Sequence, residues 1–215
     1  MLKRNRKTVI LTTMIAALPI LAGLLLWSRL PETIATHFDA NGQPNGWSSR
    51  AFAVFGLPAF LVAVHLLCTF GTLMDPKRKN IQDKMYKLVL WVCPVISIFT
   101  CGGVYLYALG VHVDMARTAE LLVSVLFIVI GNYLPKCRQS YTMGIKLPWT
   151  LNDEENWNAT HRFGGRLWMG CGVVILALSL LDLARNTGVL LGLVLVMVLA
   201  PTAYSYLYYR RRQKE

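Results

Sequence analysis

Residues 88–111 read LVLWVCPVISIFTCGGVYLYALGV and contain no Asp, Glu, Lys or Arg. A helix needs roughly 20 apolar residues to cross the hydrocarbon core of a membrane, and this run is long enough. Three other charge-free runs of sufficient length occupy residues 8–28, 51–74 and 186–209. Each of the four runs therefore predicts one membrane-spanning helix.

The remaining chain supplies two shorter charge-free runs, at residues 121–135 and 167–181. They reach a spanning length with charged flanks, since Lys and Arg near a span end extend to the membrane surface. The chain is 55% hydrophobic, 15% charged and has a mean hydropathy of +0.46, too apolar for a soluble domain. We therefore expect an all-α bundle of six transmembrane helices, at residues 8–30, 51–74, 87–109, 116–135, 163–184 and 188–208.

The first run follows a basic stretch, which also resembles a signal peptide. The apolar part is longer than the about 7–15 residues of a signal sequence, and no small-x-small cleavage site closes it. An uncleaved first span is therefore favoured, with a signal peptide as the alternative.

The distribution of Lys and Arg among the loops predicts the orientation of the six spans. The N-terminus carries four Lys or Arg, the second loop five, the fourth loop five and the C-terminus four, which leaves four of the 22 for the other face. By the positive-inside rule, both termini and these two loops are predicted to be cytoplasmic. The net charge of +11 then indicates contact with anionic lipids rather than direct nucleic-acid binding.

The spans offer little for catalysis, metal binding or ion transport. The five cysteines form no Cys-x-x-Cys pair, so neither a disulfide framework, a metal site nor another cofactor is expected. His65 is the one ionisable side chain deep in a span, where a hydrogen bond to a facing helix is the simpler interpretation. A proton-coupled carrier is therefore disfavoured. Transport of an apolar or peptide substrate stays open.

The predicted outward loop, residues 30–50, combines turn chemistry with aromatic and ionisable side chains. Its Asn-Gly pairs at 41–42 and 45–46 predict compact turns, because Asn and Gly tolerate positive φ. These turns flank four side chains, namely His37, Phe38, Asp39 and Trp47. They are candidates for anchoring at the membrane interface or for binding something that arrives from outside. A metal site is a weak alternative, since His37 and Asp39 lack a third ligand.

The predicted cytoplasmic loop, residues 131–165, is too rich in specific turn and aromatic residues for a flexible linker. Pro148 forces Leu147 toward an extended conformation. Thr150 or Asn152 can then cap a helix that runs into the fifth span. Trp149 and Trp157 are predicted to lie at the level of the lipid headgroups.

On that helix, Glu154, Trp157, Asn158 and His161 are spaced three, four or seven apart and are predicted to share a face. Such a row can form an acid/base site or a polar contact between helices. No nucleophile motif or His-Glu-x-x-His spacing accompanies it. A structural clamp or a docking surface is therefore favoured over an enzyme.

These loops carry a resemblance to a known family. Residues 131–136 read GNYLPK, residues 144–151 read GIKLPWTL and residues 160–165 read THRFGG. Together with Glu154 or Glu155 and Trp157, they resemble the signature of the SdpI family of immunity proteins. Ser140 and Lys146 stand where Asn and Arg are typical of that signature, and Lys lacks the bidentate fork of Arg.

A second resemblance covers the outward loop. Leu30-Pro31, Ile34, His37-Phe38, Gly42 and Trp47-Ser48 are similar to DUF1648, a short N-terminal domain that is often fused to the SdpI family. The two resemblances imply three segments: residues 1–74, 75–115 and 116–215.

The family resemblance implies a bacterial plasma-membrane protein that protects its own cell from a secreted peptide toxin and relays the presence of that toxin to a cytoplasmic repressor. His37, Phe38, Asp39 and Trp47 are then the candidate toxin-binding residues. The candidate docking or clamp residues of the signature loop, residues 135–165 with its flanks, are Asn132, Pro135, Arg138, Gly144, Pro148, Trp149, Thr150, Glu154, Trp157, Thr160, His161 and Arg162. The alternatives are a small-solute or peptide transporter and a membrane scaffold for a cytoplasmic regulator.

Overall fold

A computed structural model describes residues 1–183 and 187–213. Within these residues, six helices are long and apolar enough to cross a membrane, which confirms the predicted all-α architecture. In chain order the helices are α1 (Leu2–Leu25), α2 (Leu57–Leu73, preceded by a π-helical segment at Phe52–Gly56), α3 (Asp83–Ala108), α4 (Met115–Tyr133), the short α5 (Pro148–Asn152), α6 (Glu154–Leu180) and α7 (Thr187–Arg212). The orientation of the termini stays a prediction.

The predicted helix that runs past His161 into the fifth span is confirmed, because α6 is continuous from Glu154 to Leu180. Its cap is Asp153, whose side chain accepts hydrogen bonds from the backbone N–H groups of Glu155 and Asn156. The predicted caps are wrong, since Thr150 and Asn152 both lie in α5. Leu147 is extended (φ −118°, ψ 152°) before Pro148, as predicted.

The chain divides into two compact units. The first contains Met1–Leu73 and Tyr86–Leu122, and the second contains Met74–Met85 and the chain from Val123 onward. In each unit the spans expose large apolar side chains, such as Leu67 at 72% and Leu195 at 57%, and bury polar ones. This inverted distribution suits helices whose outer surface faces lipid.

The first unit is organised around a core formed by the chain that follows α1, the π-helical segment and α3. Its buried members are Leu30, Ile34, Ala53, Val54, Cys101, Val104 and Tyr105. The Tyr105 hydroxyl lies 3.2 Å from the carbonyl oxygens of Pro19 and Ala53 and donates its hydrogen there. A Cβ at Gly23 would lie 2.7 Å from the Val54 side chain, so the absence of a side chain lets α1 approach this core.

A β-hairpin follows α1, built from β1 (Thr33–Phe38) and β2 (Pro44–Ser49). The predicted turn at 41–42 is confirmed: Asp39 Oδ1 accepts the N–H groups of Asn41 and Gln43, and Gly42 has φ +76°. The predicted turn at 45–46 is wrong. Gly46 lies within β2 opposite His37, where strand pairing with β1 overrides the local turn preference.

Arg50 fixes the hairpin to the end of α1. Its guanidinium donates to the carbonyl oxygens of Trp27 (2.8 Å) and Leu30 (2.9 Å) and lies 4.7 Å from the centre of the Trp27 ring. These carbonyls lie beyond the last turn of α1, where backbone acceptors lack helical partners. Arg50 therefore anchors the hairpin as well as contributing charge.

In the second unit, α4 and α6 approach at glycines. A Cβ at Gly131 would lie 2.6 Å from the backbone nitrogen of Met169, and a Cβ at Gly165 would lie 2.7 Å from the carbonyl oxygen of Gly131. Because backbone atoms occupy both positions, no side-chain rotation could relieve the clash. This contact fixes α6 close to the end of α4, where the signature loop begins.

Candidate functional site

The signature loop is built around two aromatic rings on the inner face of α6. Trp157 and His161 are 0% and 1% exposed, and their rings stack with centroids 4.0 Å apart. The indole N–H of Trp157 donates to the carbonyl oxygen of Cys137 at 2.7 Å. The ring of Trp157 is therefore inside the protein, so its predicted position at the headgroup level is wrong.

Both nitrogens of His161 are used. Nε2 accepts the backbone N–H of Ile145 at 2.9 Å, so the ring hydrogen must lie on Nδ1, which donates to the carbonyl oxygen of Trp157 at 2.7 Å. The ring is thus held as one neutral tautomer, with both nitrogens engaged in holding the backbone.

Gly144 makes this contact possible. Its φ is +103°, a conformation that L side chains rarely adopt, and a Cβ there would collide with His161 Nε2 and lie 2.8 Å from the Trp157 ring. Glycine is therefore required on two independent grounds at this position. Next to it, the Ser140 hydroxyl donates to the carbonyl oxygen of Met143 at 3.0 Å, and Lys146 is exposed.

Thr150 closes the next turn of the loop. Its hydroxyl oxygen accepts the N–H of Leu147 at 2.9 Å and lies 3.0 Å from the carbonyl oxygens of Ile145 and Leu147. The hydroxyl thus forms hydrogen bonds with backbone N–H and carbonyl groups of residues that lie outside the helices and strands. The Thr150 side chain is fully buried.

Asp75, in the segment between α2 and α3, is a buried acceptor for the same loop. One carboxylate oxygen accepts from the Thr142 hydroxyl (2.7 Å) and from the N–H groups of Thr142 (2.8 Å) and Tyr141 (2.9 Å), and the other accepts the N–H of Lys77. Burial raises the pKa of Asp75, but these hydrogen bonds outweigh burial and leave the pKa below its ordinary value. The sequence did not predict a role for Asp75, although it is an acid among basic neighbours directly after a span.

Gln139 makes a second connection between the signature loop and the segment between α2 and α3. Its amide nitrogen donates to the carbonyl oxygens of Thr150 and Leu151, and its amide oxygen accepts from Lys77 Nζ at 2.6 Å. The Asn80 side chain donates to the backbone carbonyl of Gln139 at 2.9 Å. The sequence did not predict a role in this site for Gln139, Lys77 or Asn80. Their pairing crosses about 60 residues of chain, which no local spacing reveals.

A polar cluster connects α5, α6 and α7. Asn156 Oδ1 accepts from the hydroxyls of Ser205 (2.7 Å) and Thr160 (2.9 Å), and Asn156 Nδ2 donates to the carbonyl oxygen of Ser205. The Trp149 indole donates to the Ser205 hydroxyl at 2.8 Å and its ring packs against Tyr206 and Tyr209. Trp149 is therefore half-buried in a specific contact with α7.

Seven signature residues are exposed, namely Asn132, Pro135, Arg138, Gly144, Pro148, Glu154 and Arg162. Of these, Gly144 nevertheless contacts Trp157 and His161. The predicted row on α6 is divided, since Trp157 and His161 are buried whereas Glu154 and Asn158 are exposed. The prediction that these four residues share one face is wrong, because the buried face of α6 is centred on Asn156, Trp157, Thr160 and His161. With Glu154 exposed and His161 buried and fully hydrogen-bonded, the two do not form an acid/base pair.

The hairpin also separates its candidate residues. Phe38 packs edge-on against Tyr107 with centroids 5.0 Å apart, and Asp39 is used within the turn. His37 is exposed, with its ring hydrogen-bonded to the Asn45 side chain, and Trp47 is 59% exposed. His37 and Trp47 are therefore the two candidates that remain accessible, while Phe38 and Asp39 mainly hold the hairpin.

Asp75→Asn is expected to lower the free energy of unfolding by about 2–3 kcal/mol at neutral pH, because a neutral amide replaces a buried carboxylate that accepts four hydrogen bonds. The folded-state pKa of Asp75 lies below its ordinary value of 3.8, so the carboxylate stabilises the fold above that pH. This stabilisation is lost as the pH falls through the lowered pKa. Thermal unfolding in detergent across this pH range measures the effect.

Glu32→Gln, at an exposed acid, is the control for the charge change itself. An Asp75→Asn protein as stable as the wild type at pH 7 would contradict the role of Asp75, as would a stability difference that persisted unchanged well below pH 3.8.

The spans, with their lipid-suited surfaces and internal polar contacts, define a multi-pass helical membrane protein. Residues 136–205 match the model of the SdpI/YfhL protein family, and residues 14–62 match a domain of unknown function, DUF1648. The predicted resemblances to the SdpI family and, at the N-terminus, to DUF1648 are therefore confirmed, and they support the predicted location in the bacterial cell membrane.

A named relative extends the match along the whole chain. The immunity protein SdpI of Bacillus subtilis (strain 168) is 26% identical over 206 residues, which cover 95% of this chain and 97% of the relative. No solved structure matches the chain significantly. The family match includes the signature loop from Lys136 onward, where the buried contacts of Cys137, Trp157 and His161 lie.

Proposed function

We propose that this protein is a membrane immunity protein that protects its own cell from a secreted peptide toxin. The observation that carries the proposal is its end-to-end similarity to the immunity protein SdpI. The match covers nearly the full length of both chains, so it includes every span and both loops that carry candidate residues. A non-enzymatic role agrees with the engagement of both His161 nitrogens in structural hydrogen bonds.

The proposal places the hairpin outside the cell and the signature loop in the cytoplasm. The distribution of Lys and Arg supports this orientation. The toxin then meets the hairpin first, where the exposed Trp47 and His37 supply an apolar and a polar contact on a rigid two-stranded support. Aromatic side chains of this kind often dominate the binding energy of a peptide.

On the cytoplasmic side, the exposed Arg138 and Arg162 form the proposed surface for a repressor or another regulatory partner. Trp157 and His161 hold the backbone of the same loop through their hydrogen bonds to Cys137 and Ile145, so the surface belongs to an ordered loop. Arg210 and Arg211 at the end of α7 are exposed and suit anionic lipid headgroups.

A killing assay tests the immunity proposal. A sensitive bacterium expressing the chain is challenged with membrane-active peptide toxins of the sporulation-delaying type, and survival is measured. The wild type is expected to protect, and a His37→Ala/Trp47→Ala variant at equal membrane abundance is expected to lose most of the protection, because both accessible hairpin side chains are removed. The matched control is Thr33→Ala/Asn41→Ala, which changes two exposed polar residues of the same hairpin region.

The outcomes separate the parts of the proposal. Full protection by the His37/Trp47 variant would contradict the hairpin contact and leave immunity standing. Loss of protection in the control as well would show that the hairpin as a whole is required, not these two side chains. An absence of protection by the wild type against this toxin class would contradict immunity and favour the transporter or scaffold alternatives.

A further inference from the structure

Four polar side chains are completely buried in the first unit. They come from α1, α2 and α3, and are Thr12, His65, Thr69 and Ser97. Two contacts between helices involve them: the Thr12 hydroxyl lies 3.3 Å from His65 Nε2, and the Ser97 hydroxyl donates to the carbonyl oxygen of Ala16 at 2.7 Å. The proposed function uses none of these side chains.

The hydrogen on the Thr12 hydroxyl is already engaged. Its oxygen lies 2.8 Å from the carbonyl oxygen of Thr8 and 3.1 Å from that of Val9, and a hydroxyl has one hydrogen to donate. Toward His65 the hydroxyl can therefore act only as an acceptor. The ring hydrogen of neutral His65 must then lie on Nε2, which donates to Thr12.

This assignment leaves His65 Nδ1 as a bare acceptor. Among the described residues, no protein group forms a hydrogen bond with Nδ1, and the same holds for the Thr69 hydroxyl. His65 and Thr69 are four residues apart on α2, so they lie one above the other on the same face. A helical threonine normally returns its hydrogen to a carbonyl of the preceding turn, as Thr13 does to Val9 at 2.8 Å.

Two unmatched polar atoms in a membrane-spanning bundle are costly. Each buried group without a partner destabilises a protein, and lipid offers no alternative partner. Nδ1 requires a donor, and the Thr69 hydroxyl can either donate or accept. A small molecule that carries two hydrogens and two lone pairs satisfies both atoms together.

We propose that His65 and Thr69 form a buried water-binding site within the first unit. The water donates one hydrogen to His65 Nδ1 and forms its second hydrogen bond with the Thr69 hydroxyl. The water thereby links Thr69, through the imidazole ring of His65, to the contact with Thr12 on α1. This site does not depend on the proposed immunity function.

Thr69→Val tests the site with an isosteric change. If water bridges Thr69 and His65, valine removes one partner of that water, and the apparent Tm in detergent is expected to fall by roughly 2–4 °C, the shift that corresponds to about 1 kcal/mol in a chain of this size. If the hydroxyl is unpaired in a dry site, valine relieves an unsatisfied group and the Tm rises or stays unchanged, which would overturn the proposal. Thr13→Val, at a threonine bonded only to its own helix, is the control.

Nitrogen-15 NMR of histidine-labelled protein provides a second, independent readout. The site predicts a neutral His65 with the hydrogen on Nε2, a hydrogen-bonded Nδ1 and magnetisation transfer from water to that ring. His161 is the internal reference, since its hydrogen lies on the opposite nitrogen. A His65→Gln variant assigns the signal. A His65 Nδ1 shift typical of an acceptor without a hydrogen bond, or a hydrogen on Nδ1, would overturn the proposal.

Discussion

Gly144→Ala is expected to disrupt the signature loop and to abolish protection. The added Cβ would collide with His161 Nε2, so the Ile145 N–H must lose its acceptor, and the backbone would keep a φ of +103° that alanine tolerates poorly. Backbone strain of about 1–3 kcal/mol and an unsatisfied buried N–H of similar cost predict a loss of roughly 3 kcal/mol or more. Apparent Tm and protease cleavage between residues 137 and 147 measure the effect.

Gly110→Ala provides a matched control for the strain. Gly110 also has a positive φ (+80°), but a Cβ there would meet nothing within 4 Å. Its alanine variant should therefore show the backbone cost alone and leave the signature loop resistant to protease. Equal effects of the two substitutions would contradict the steric role assigned to the His161 contact.

Trp157→Ala is expected to have the second large effect. The substitution empties a fully buried site, removes the stack on His161 and leaves the carbonyl of Cys137 without its indole donor. Large-to-small substitutions at buried aromatic residues cost about 3–5 kcal/mol, so both stability and protection should fall sharply. Trp157→Phe keeps most of the ring and loses the N–H donor, which predicts an intermediate loss of about 1–3 kcal/mol.

The control for Trp157 is Trp91→Ala, because Trp91 is 40% exposed on α3. Its removal should change the apparent Tm much less at equal membrane abundance. A Trp157→Ala protein with the Tm and protection of the wild type would contradict the clamp role of the signature loop. Wild-type Tm with lost protection would instead assign Trp157 directly to recognition.

These expectations divide the family signature into two kinds of residue. Gly144, Trp157 and His161 hold the loop through buried contacts, so their variants report on its folding. Arg138 and Arg162 are exposed, so their variants report on recognition by a partner. A loss of function at a signature position therefore has different meanings on the two faces of the loop.

The membrane spans, the turn at residues 41–42 and the family resemblance could be predicted from the sequence, because each depends on local properties of the chain. A charge-free run such as residues 88–111 must leave water whatever its neighbours are, and its length alone fits the membrane. Gly42 adopts positive φ because a short turn requires it. The signature motifs are short stretches of sequence, so their resemblance to the family can be recognised without a structure.

Contacts between distant segments were decided by the tertiary structure alone. Helical spacing places Glu154 and Trp157 on one side of α6, but which arc of α6 faces the protein depends on the loop that covers it, and that arc excludes Glu154. Asp75 and Gln139 were missed because their partners, Thr142 and Lys77, lie 67 and 62 residues away along the chain. Hydropathy and length act on each segment separately, whereas a buried hydrogen bond requires two segments to meet, and only the folded chain brings them together.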